Sequence, residues 1–377
     1  MSGSRDVLVI GGGALGLLSA RQLVQSGRRV TLLERDRVGR GTSRAGGGIM
    51  SPLEPWSVPE ALAPLVDRSL PQLPELVAAL ARDTGIDPEY RASGAIYLDC
   101  EALEPAMAWA RARGVAAEVL DEAGLAARAP AARRTAGPSL WLPGIAQLRN
   151  PRFLDALAAD LARRGVEILQ DAGEVRLSRE GTGVAVEAGR FGRMQAADTV
   201  VTAGAWSAPL LAALGVELPV RPVRGQILWY LLPRPLLGHI LLHRGRYVIP
   251  RHEGVVLVGS TVEEAGFDSG TTAEAAASLR AAAAGMMPIL GTLAEQGQWA
   301  GLRPAAPDGI PLVGPVPGVA GLWLNTGHFR NGVHLAPASA ELLAARIAGA
   351  ATPLDPMPYD PAARMALRGP DPYNPPH

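Results

Sequence analysis

The stretch Asp6-Val7-Leu8-Val9-Ile10-Gly11-Gly12-Gly13-Ala14-Leu15-Gly16 decides the fold. Its apolar first half predicts a short strand, residues 14–25 predict a helix, and residues 29–33 predict a second strand. A strand, a crossing helix and another strand in this order build a parallel sheet. The chain is therefore expected to belong to the α/β class.

Three glycines in this stretch, Gly11, Gly13 and Gly16, follow the pattern Gly-x-Gly-x-x-Gly between the strand and the helix. Small residues there let the backbone approach a pyrophosphate that faces the helix N-terminus. Glu34 closes the second strand at the spacing expected of a residue that binds a ribose. A second glycine-rich stretch, residues 39–50, suits a long cofactor in an extended conformation. These features predict a Rossmann-like dinucleotide site, although the pattern alone does not separate NAD from FAD.

Composition limits the class of protein. The chain has 377 residues, of which 48% are apolar, and 36 Lys and Arg residues balance 36 Asp and Glu residues. This length allows a large core and predicts two domains. The balanced charge and the scattered arginines argue against a nucleic-acid partner.

The expected compartment is the cytoplasm. Cys100 is the only cysteine, which rules out an intramolecular disulfide and fits a reducing environment. The apolar run near the N-terminus is interrupted by glycines and is not expected to be a signal peptide. No stretch approaches the roughly 20 uninterrupted apolar residues of a membrane-spanning helix, so no membrane partner is predicted.

The pattern of strands and helices changes character along the chain. Periodicity of the α/β type occupies residues 1–82, 145–220 and 306–352, which predict a discontinuous dinucleotide-binding domain. Residues 83–144 and 221–305 predict an α+β substrate-binding domain, because residues 221–260 alternate as an antiparallel sheet does. The proline-rich residues 353–377 are expected to form an extended or disordered tail.

Several segments resemble the D-amino-acid oxidase superfamily of flavoproteins, and more narrowly the glycine oxidase branch associated with thiamine biosynthesis. Together they extend over nearly the whole chain. They are residues 7–16, Glu34-Arg35, residues 43–47, 200–207, 221–226 and 247–251, Val258-Gly259-Ser260-Thr261, Gly301-Leu302-Arg303-Pro304, Asp308-Gly309-Ile310-Pro311 and residues 327–333.

The resemblance implies FAD as the cofactor, with its isoalloxazine ring between residues 42–50 and 327–333 and its adenine near Val175. Related sarcosine oxidases hold their flavin through a cysteine thioether, but Cys100 lies far from the corresponding segment, so we expect non-covalent FAD. The residues implied to bind it are Gly11, Gly13, Ala14, Leu15, Gly16, Glu34, Arg35, Thr42, Ser43, Arg44, Ala45, Gly46, Gly47, Gly48, Met50, Val175, Ala203, Gly204, Trp206, Arg303, His328, Arg330, Asn331, Gly332 and Val333.

The resemblance also implies three catalytic residues. Arg303 would bind the carboxylate of a small amino acid, Tyr247 would bind the same carboxylate, and Arg330 would lie near the substrate and the flavin. Hydride transfer to the flavin would give an imine, then glyoxylate and ammonia, and oxygen would be reduced to hydrogen peroxide. His328 is expected to be a hydrogen-bonded structural histidine, because no general base is strictly required. The histidines show no metal-ligand spacing, so no metal is predicted. The family resemblance suggests a homotetramer.

Two residues depart from the resemblance. Val262 stands where related glycine oxidases often have a methionine that lines the substrate pocket, and His334 stands where an aliphatic residue is usual. A smaller side chain at Val262 could admit substrates larger than glycine. Sarcosine, N-ethylglycine, longer N-substituted glycines and D-alanine therefore remain open as substrates.

Other functions remain open at this point. One is a D-amino-acid or sarcosine-type dehydrogenase that passes electrons to an acceptor other than oxygen. Another is an accessory subunit that binds FAD only for structure, although Tyr247 and Arg303 argue against it. A nicotinamide dehydrogenase would leave the second glycine-rich stretch without an obvious use.

Overall fold

The computed structural model describes residues 5–367. Within them the strands are β1 (Val7–Ile10), β2 (Val30–Leu33), β3 (Ile49–Met50), β4 (Ala95–Tyr97), β5 (Glu118–Leu120), β6 (Ser139–Leu142), β7 (Ala146–Gln147), β8 (Glu167–Leu169), β9 (Val175–Glu180), β10 (Gly183–Ala188), β11 (Gly192–Met194), β12 (Asp198–Val201), β13 (Arg221–Leu231), β14 (Ile240–His243), β15 (Arg246–Pro250), β16 (Val255–Gly259), β17 (Gly297–Ala305), β18 (Leu312–Pro315) and β19 (Leu322–Thr326).

The α-helices of the same residues are α1 (Ala14–Gln25), α2 (Thr42–Ala45), α3 (Ala63–Ser69), α4 (Leu73–Thr84), α5 (Leu103–Arg113), α6 (Glu122–Arg128), α7 (Asn150–Arg163), α8 (Ser207–Ala212), α9 (Ala273–Met286), α10 (Gly332–Ala348) and α11 (Pro361–Arg364). Short 3₁₀ helices join several of them. None of these helices is both long enough and apolar enough to cross a membrane.

A six-stranded sheet, in the order β18-β19-β12-β1-β2-β8, contains the opening βαβ unit. Its strands are parallel except for β18, which runs antiparallel to β19 at one edge. Every residue of β1 and β2 is buried, as expected of parallel strands that are covered on both faces. The predicted parallel sheet and the α/β class are thus confirmed.

An eight-stranded sheet, in the order β17-β13-β16-β15-β14-β4-β6-β5, forms the other large layer. Its neighbouring strands are antiparallel apart from β14 and β4. The antiparallel sheet predicted for residues 221–260 is confirmed. The pairing of β13 with β17 runs from Arg221 opposite Ala305 to Trp229 opposite Gly297, and it places Arg303 on the strand beside residues 223–225.

The chain passes back and forth between the two large sheets. Strands β1 and β2 lie in the six-stranded sheet, β4 to β6 in the eight-stranded sheet, β8 and β12 in the first again, β13 to β17 in the second, and β18 and β19 in the first. This alternation supports the discontinuous domains expected from the sequence. Their boundaries stay a proposal.

The segment after residue 352 differs from the expected tail over its described part. Residues 353–367 contain a 3₁₀ turn, Met357–Tyr359, and the short helix α11. Tyr359 is fully buried, and its hydroxyl donates a 2.6 Å hydrogen bond to the carbonyl of Ala61. Burial of an aromatic side chain therefore fixes a segment whose prolines suggested an extended chain. Residues 368–377 of the predicted tail lie outside the described residues.

Candidate active site

A cavity of about 890 Å³ is lined by residues of both large sheets and of the loops between them. Its size is at the upper end of the range for ligand sites. Most of the residues predicted to form the site line this cavity. They are Gly11, Gly13, Ala14, Leu15, Glu34, Arg35, Thr42, Ser43, Ala45, Gly46, Gly47, Gly48, Met50, Val175, Ala203, Gly204, Trp206, Tyr247, Arg303, His328, Arg330, Asn331, Gly332 and Val333.

Three predicted residues do not line the cavity. Gly16 lies where helix α1 packs on the first glycine loop, and a Cβ there would overlap the carbonyl oxygen of Gly11. Arg44 forms an ion pair with Asp155, 3.4 Å away. Val262 packs against a small apolar cluster that contains Phe329, and of these two residues only Phe329 lines the cavity. The expectation that Val262 widens the pocket therefore has no direct contact to support it.

The first glycine loop forms a cradle at the N-terminus of α1. Gly11 has a φ of +112°, and a Cβ there would come within 2.7 Å of the carbonyl oxygen of Thr202. Gly13 precedes the helix without a side-chain cap, and the first turn contains no acidic residue. The N–H of Ala14 donates a 3.0 Å hydrogen bond to Oγ of Ser43, and the other N–H groups of the first turn of α1 are those that a helix N-terminus leaves to an anion such as a pyrophosphate. The carboxylate of Glu34 lies next to this loop, where it accepts a 2.6 Å hydrogen bond from the N–H of Gly12.

A cation–π contact occupies another part of the cavity wall. The guanidinium carbon of Arg35 lies 3.8 Å from the centroid of the Trp206 ring. Val175 also lines the cavity. A planar guanidinium, an indole and an aliphatic side chain are surfaces on which a flat heteroaromatic base can stack.

The second glycine-rich stretch is held from three sides. Thr42 donates a 2.7 Å hydrogen bond to the carbonyl of Leu302, and the Trp299 indole N–H donates one of 2.9 Å to the carbonyl of Ala45. Asn150 donates through Nδ2 to the carbonyl of Ser43 at 2.7 Å. Asn150 also lines the cavity, and no local pattern indicated it, because it lies at the start of α7 and 107 residues from Ser43.

Arg251 also fixes the second glycine-rich stretch. Its guanidinium donates to the carbonyl of Gly47 and, over 2.8 Å, to Oε1 of Gln147. Burial lowers the pKa of Arg251 to about 10, so the side chain stays charged at neutral pH. The Gly47 backbone is thereby held close to Tyr247, whose hydroxyl would lie only 2.9 Å from a Cβ at position 47.

Arg303 and Tyr247 meet at this part of the cavity. Arg303 donates to the carbonyl of Thr261 at 3.0 Å and to Oγ of Ser260 at 2.8 Å, and among residues 5–367 it forms no ion pair. Burial, followed by the nearby charge of Arg330, lowers the pKa of Arg303 to about 10. Tyr247 is 5% exposed, and its hydroxyl has no hydrogen-bond partner within the part of the chain that the structure describes. A half-buried cation held only by neutral oxygens is a ready site for an anionic ligand.

Two histidines lie in the cavity wall. His328 shares a 2.9 Å hydrogen bond between Nε2 and the hydroxyl of Ser339, as expected of a structural histidine. Burial lowers the pKa of both His328 and His334 to about 3, so both rings are neutral at pH 7. His334 was noted from the sequence only as a departure from the resemblance. The described residues contain no cluster of three or more side chains able to hold a metal.

The cavity fits FAD on two independent observations. The glycine cradle leaves room for a backbone-bound pyrophosphate, as described for Gly11 and Gly13. In another part of the same cavity, the Arg35 guanidinium, the Trp206 indole and Val175 offer surfaces on which the adenine of FAD can stack.

Comparison with known proteins identifies the cofactor and the family. Residues 6–346 match the model of a family described as DAO, FAD dependent oxidoreductase. A glycine oxidase of Pseudomonas aeruginosa is 44% identical over 365 residues, which cover 96% of this chain and all of that protein. A bifunctional protein ThiO/ThiG of Trichormus variabilis is 32% identical over 90% of this chain and 52% of its own length.

Solved structures agree with the sequence comparison. The crystal structure of glycine oxidase from Geobacillus kaustophilus superimposes with a TM-score of 0.90 and 27% sequence identity, and the match covers 97% of this chain and 99% of that one. FAD is therefore the cofactor, and FAD-dependent amine oxidation is the reaction class. The chain belongs to the DAO family of FAD-dependent oxidoreductases.

Proposed function

We propose that the protein oxidises glycine with oxygen as the electron acceptor. Glycine, oxygen and water would give glyoxylate, ammonia and hydrogen peroxide. The name of the 44% identical relative supports glycine as the substrate. The single observation that carries the proposal is the half-buried guanidinium of Arg303, which lines the cavity beside Tyr247 and has only neutral hydrogen-bond partners among the described residues.

Arg303 would bind the substrate carboxylate. Its pKa of about 10 leaves it protonated at neutral pH, and the carbonyl of Thr261 and the hydroxyl of Ser260 hold it in place. A guanidinium can grip both carboxylate oxygens at once. Such a charge-assisted contact stabilises the complex by about 1.5–3 kcal/mol and fixes the orientation of the α-carbon.

Tyr247 would donate its hydroxyl hydrogen to the same carboxylate. Strand β15 presents this side chain against Gly47 and Gly259, and a Cβ at position 259 would lie only 2.5 Å from the hydroxyl oxygen. Two glycines thus make room for the ring where it meets the cavity. A hydroxyl held by close packing loses little conformational entropy when it binds a ligand.

The side chains near Arg303 would keep the substrate amine neutral. Arg330 lies close enough for its charge to lower the pKa of Arg303, and a protonated amine would be repelled by this pair. His328 and His334 are neutral at pH 7 and add no charge. Bound FAD supplies a two-electron acceptor. The protein's part is to exclude water, to orient the α-carbon and to favour the amine form that can be oxidised.

Helix α10 would add electrostatic stabilisation. Its N-terminus, at Gly332, Val333 and His334, lines the cavity without a side-chain cap or an acidic residue in the first turn. Negative charge that develops at such a helix end is stabilised by about 0.3–2 kcal/mol, depending on burial.

The proposal also covers the pathway, the assembly, the location and the electron acceptor of the protein. A role in supplying the thiazole part of thiamine is supported by the bifunctional relative from Trichormus variabilis, whose name joins ThiO to ThiG. A homo-oligomeric assembly and a cytoplasmic location rest on the resemblance and on the single cysteine. A dehydrogenase with a different acceptor is the alternative that the test must exclude.

Stoichiometry tests the proposal. In air-saturated buffer, glycine turnover is expected to yield one hydrogen peroxide for each glyoxylate. Reduction of an artificial dye without peroxide would assign the protein to the dehydrogenases. Turnover of sarcosine or D-alanine but not of glycine would retain the mechanism and change the substrate.

A further inference from the structure

Residues 263–272, which we call the rim loop, lie between strand β16 and helix α9. Ser269 of this loop lines the cavity and is exposed. Arg35, which follows β2, also lines the cavity and is exposed. Residues that are both cavity-lining and exposed lie where a cavity opens to solvent. The rim loop and the segment after β2 therefore both border the mouth of the cavity.

Phe267 connects the rim loop to the cavity wall. This large apolar side chain is 46% exposed and does not itself line the cavity. Its ring centroid lies 5.7 Å from that of Trp206, with an angle of 44° between the two planes. Trp206 does line the cavity, and the guanidinium carbon of Arg35 lies 3.8 Å from its ring. The indole is thus contacted by one residue from each of two segments at the mouth.

Side chains of strand β13 anchor the rim loop. Arg224 is 7% exposed, and its guanidinium donates to Oδ2 of Asp268 at 2.6 Å and to Oε2 of Glu263 at 2.8 Å. Gln226 is fully buried, and its Oε1 accepts a 2.9 Å hydrogen bond from the N–H of Thr272. The loop is therefore held at both ends and at Asp268, the residue next to Phe267. Charge-assisted bonds from a buried guanidinium are stronger than neutral hydrogen bonds.

We propose that the rim loop retains bound FAD, because Phe267 packs against Trp206 and the ion pair between Asp268 and Arg224 keeps Phe267 in that position. Trp206 belongs to the surfaces on which the adenine can stack. A stacking surface that is already fixed loses little conformational entropy when the ligand binds. Phe267 and Asp268 are positioning residues, since they act on the cofactor through Trp206.

The proposal rests on FAD as the cofactor and not on the identity of the amine. It can therefore fail while glycine oxidation stands, and the reverse also holds. Its readout is the rate at which the purified holoprotein loses flavin, measured by absorbance after timed steps of gel filtration into buffer without FAD. This rate is independent of any substrate.

Phe267→Ala removes the aromatic contact. We expect it to release FAD about fivefold faster than the unsubstituted protein, because an aromatic pair contributes modestly and affinity changes lie mainly in the dissociation rate. Phe267→Tyr keeps the ring and should release FAD within about twofold of the unsubstituted protein. Leu231→Ala is the matched control, since Leu231 is 49% exposed and does not line the cavity, and it should leave the rate unchanged.

Asp268→Asn tests the anchor, because it removes the charge that pairs with Arg224 and leaves Arg224 its bond to Glu263. We expect FAD release about threefold faster. If Asp268 acts through Phe267, the double variant Phe267→Ala/Asp268→Asn should release FAD no faster than Phe267→Ala alone. At a high fixed FAD concentration, the melting temperature of each variant should fall by no more than about 2 °C, since the changed side chains are exposed.

Three results would overturn the proposal. In the first, Phe267→Ala loses FAD at the same rate as Leu231→Ala and the unsubstituted protein. In the second, Phe267→Ala and Phe267→Tyr accelerate FAD release equally, or Phe267→Ala lowers the melting temperature at saturating FAD by far more than about 2 °C, as a residue needed only for the fold would. In the third, the double variant accelerates release by the product of the two single effects, which would mean that the ion pair does not hold Phe267 in place.

Discussion

Gly225 lies directly against the guanidinium of Arg303, and a Cβ at position 225 would overlap all three of its terminal atoms. The two residues lie on the paired strands β13 and β17. The carbonyl of Thr261 and the hydroxyl of Ser260 accept hydrogen bonds from the guanidinium and restrict its movement. The absence of a side chain at position 225 on the neighbouring strand therefore leaves the space that the guanidinium of Arg303, proposed to bind the substrate, occupies.

Gly225→Ala is expected to displace the guanidinium and to lower kcat/KM for glycine about 100-fold, since a misplacement of about 1 Å can have this effect. FAD content should stay unchanged. Gly238→Ala is the matched control, because a Cβ at position 238 meets nothing within 4 Å. Steady-state kinetics of both variants provide the measurement, and equal activities would show that Gly225 does not position Arg303.

Arg303→Lys keeps the charge but loses the two-pronged geometry. We expect kcat/KM to fall about 10- to 150-fold, which is the equivalent of about 1.5–3 kcal/mol. The flavin absorbance spectrum of the purified variant should be retained. Arg234→Lys, at an exposed position, serves as the control. Unchanged turnover of glycine by Arg303→Lys would remove Arg303 from the substrate site.

Tyr247→Phe removes one hydroxyl and keeps the packing against Gly47 and Gly259. The loss of one hydrogen bond to a charged carboxylate should raise KM about tenfold, with little effect on the melting temperature. Kinetics and thermal unfolding of the same preparation measure both quantities. A drop in melting temperature without any change in KM would assign Tyr247 to packing alone.

The two buried histidines predict a loss of stability in acid. Their pKa values are about 3 in the folded protein against 6.5 for an ordinary histidine, so the unfolded chain takes up protons that the folded chain does not. Above pH 6.5 the rings are neutral in the folded and the unfolded chain, and their contribution to the free energy of unfolding is fully present. As the pH falls from 6.5 toward 3, the free energy of unfolding decreases by up to about 1.4 kcal/mol per pH unit for each ring.

Thermal unfolding at pH 7 and pH 5, at a fixed FAD concentration, measures this dependence. His334→Leu should show a smaller decrease in melting temperature between the two pH values than the unsubstituted protein, whereas exposed His252→Leu should not. An identical decrease in all three proteins would mean that His334 is protonated as easily in the folded state as in the unfolded chain.

The packed C-terminal segment predicts a stability effect far from the cavity. Tyr359→Phe would leave the carbonyl of Ala61 without its 2.6 Å hydrogen bond and should cost about 1–3 kcal/mol of unfolding free energy. Denaturant unfolding measures this cost, and glycine kinetics should be unaffected. A variant as stable as the unsubstituted chain would show that this bond contributes nothing.

Local patterns predicted the opening βαβ unit well. The predicted helix over residues 14–25 agrees with α1 at both ends, because glycines precede it and its buried face is continuous. Strand β17 was not predicted, since Gly297, Gly301 and Pro304 are poor strand formers and only its pairing with β13 makes the segment a strand. The short strands β5 and β6 and the three-stranded sheet β9 to β11 were also not predicted, because these strands are short and show no clear alternation of apolar and polar residues.

The site was predicted in its parts but not in its contacts. The glycine loops, Glu34 and Arg303 carry recognisable local signals, and the residues predicted from them line one cavity except Gly16 and Arg44. Asn150, Arg251 and Gly225 act through partners that lie far away in the chain, for example Asn150 on Ser43 and Arg251 on Gly47. Such contacts depend on how the two large sheets meet, which no local pattern records.

The most direct test of the account is the absorbance spectrum of the purified protein while glycine is added without oxygen. We predict a flavin band near about 450 nm that bleaches on addition of glycine and returns when air is admitted. Arg303→Lys should require far more glycine for the same bleaching. A flavin band that no glycine concentration bleaches would contradict the central claim that Arg303 and Tyr247 present this amino acid to the cofactor.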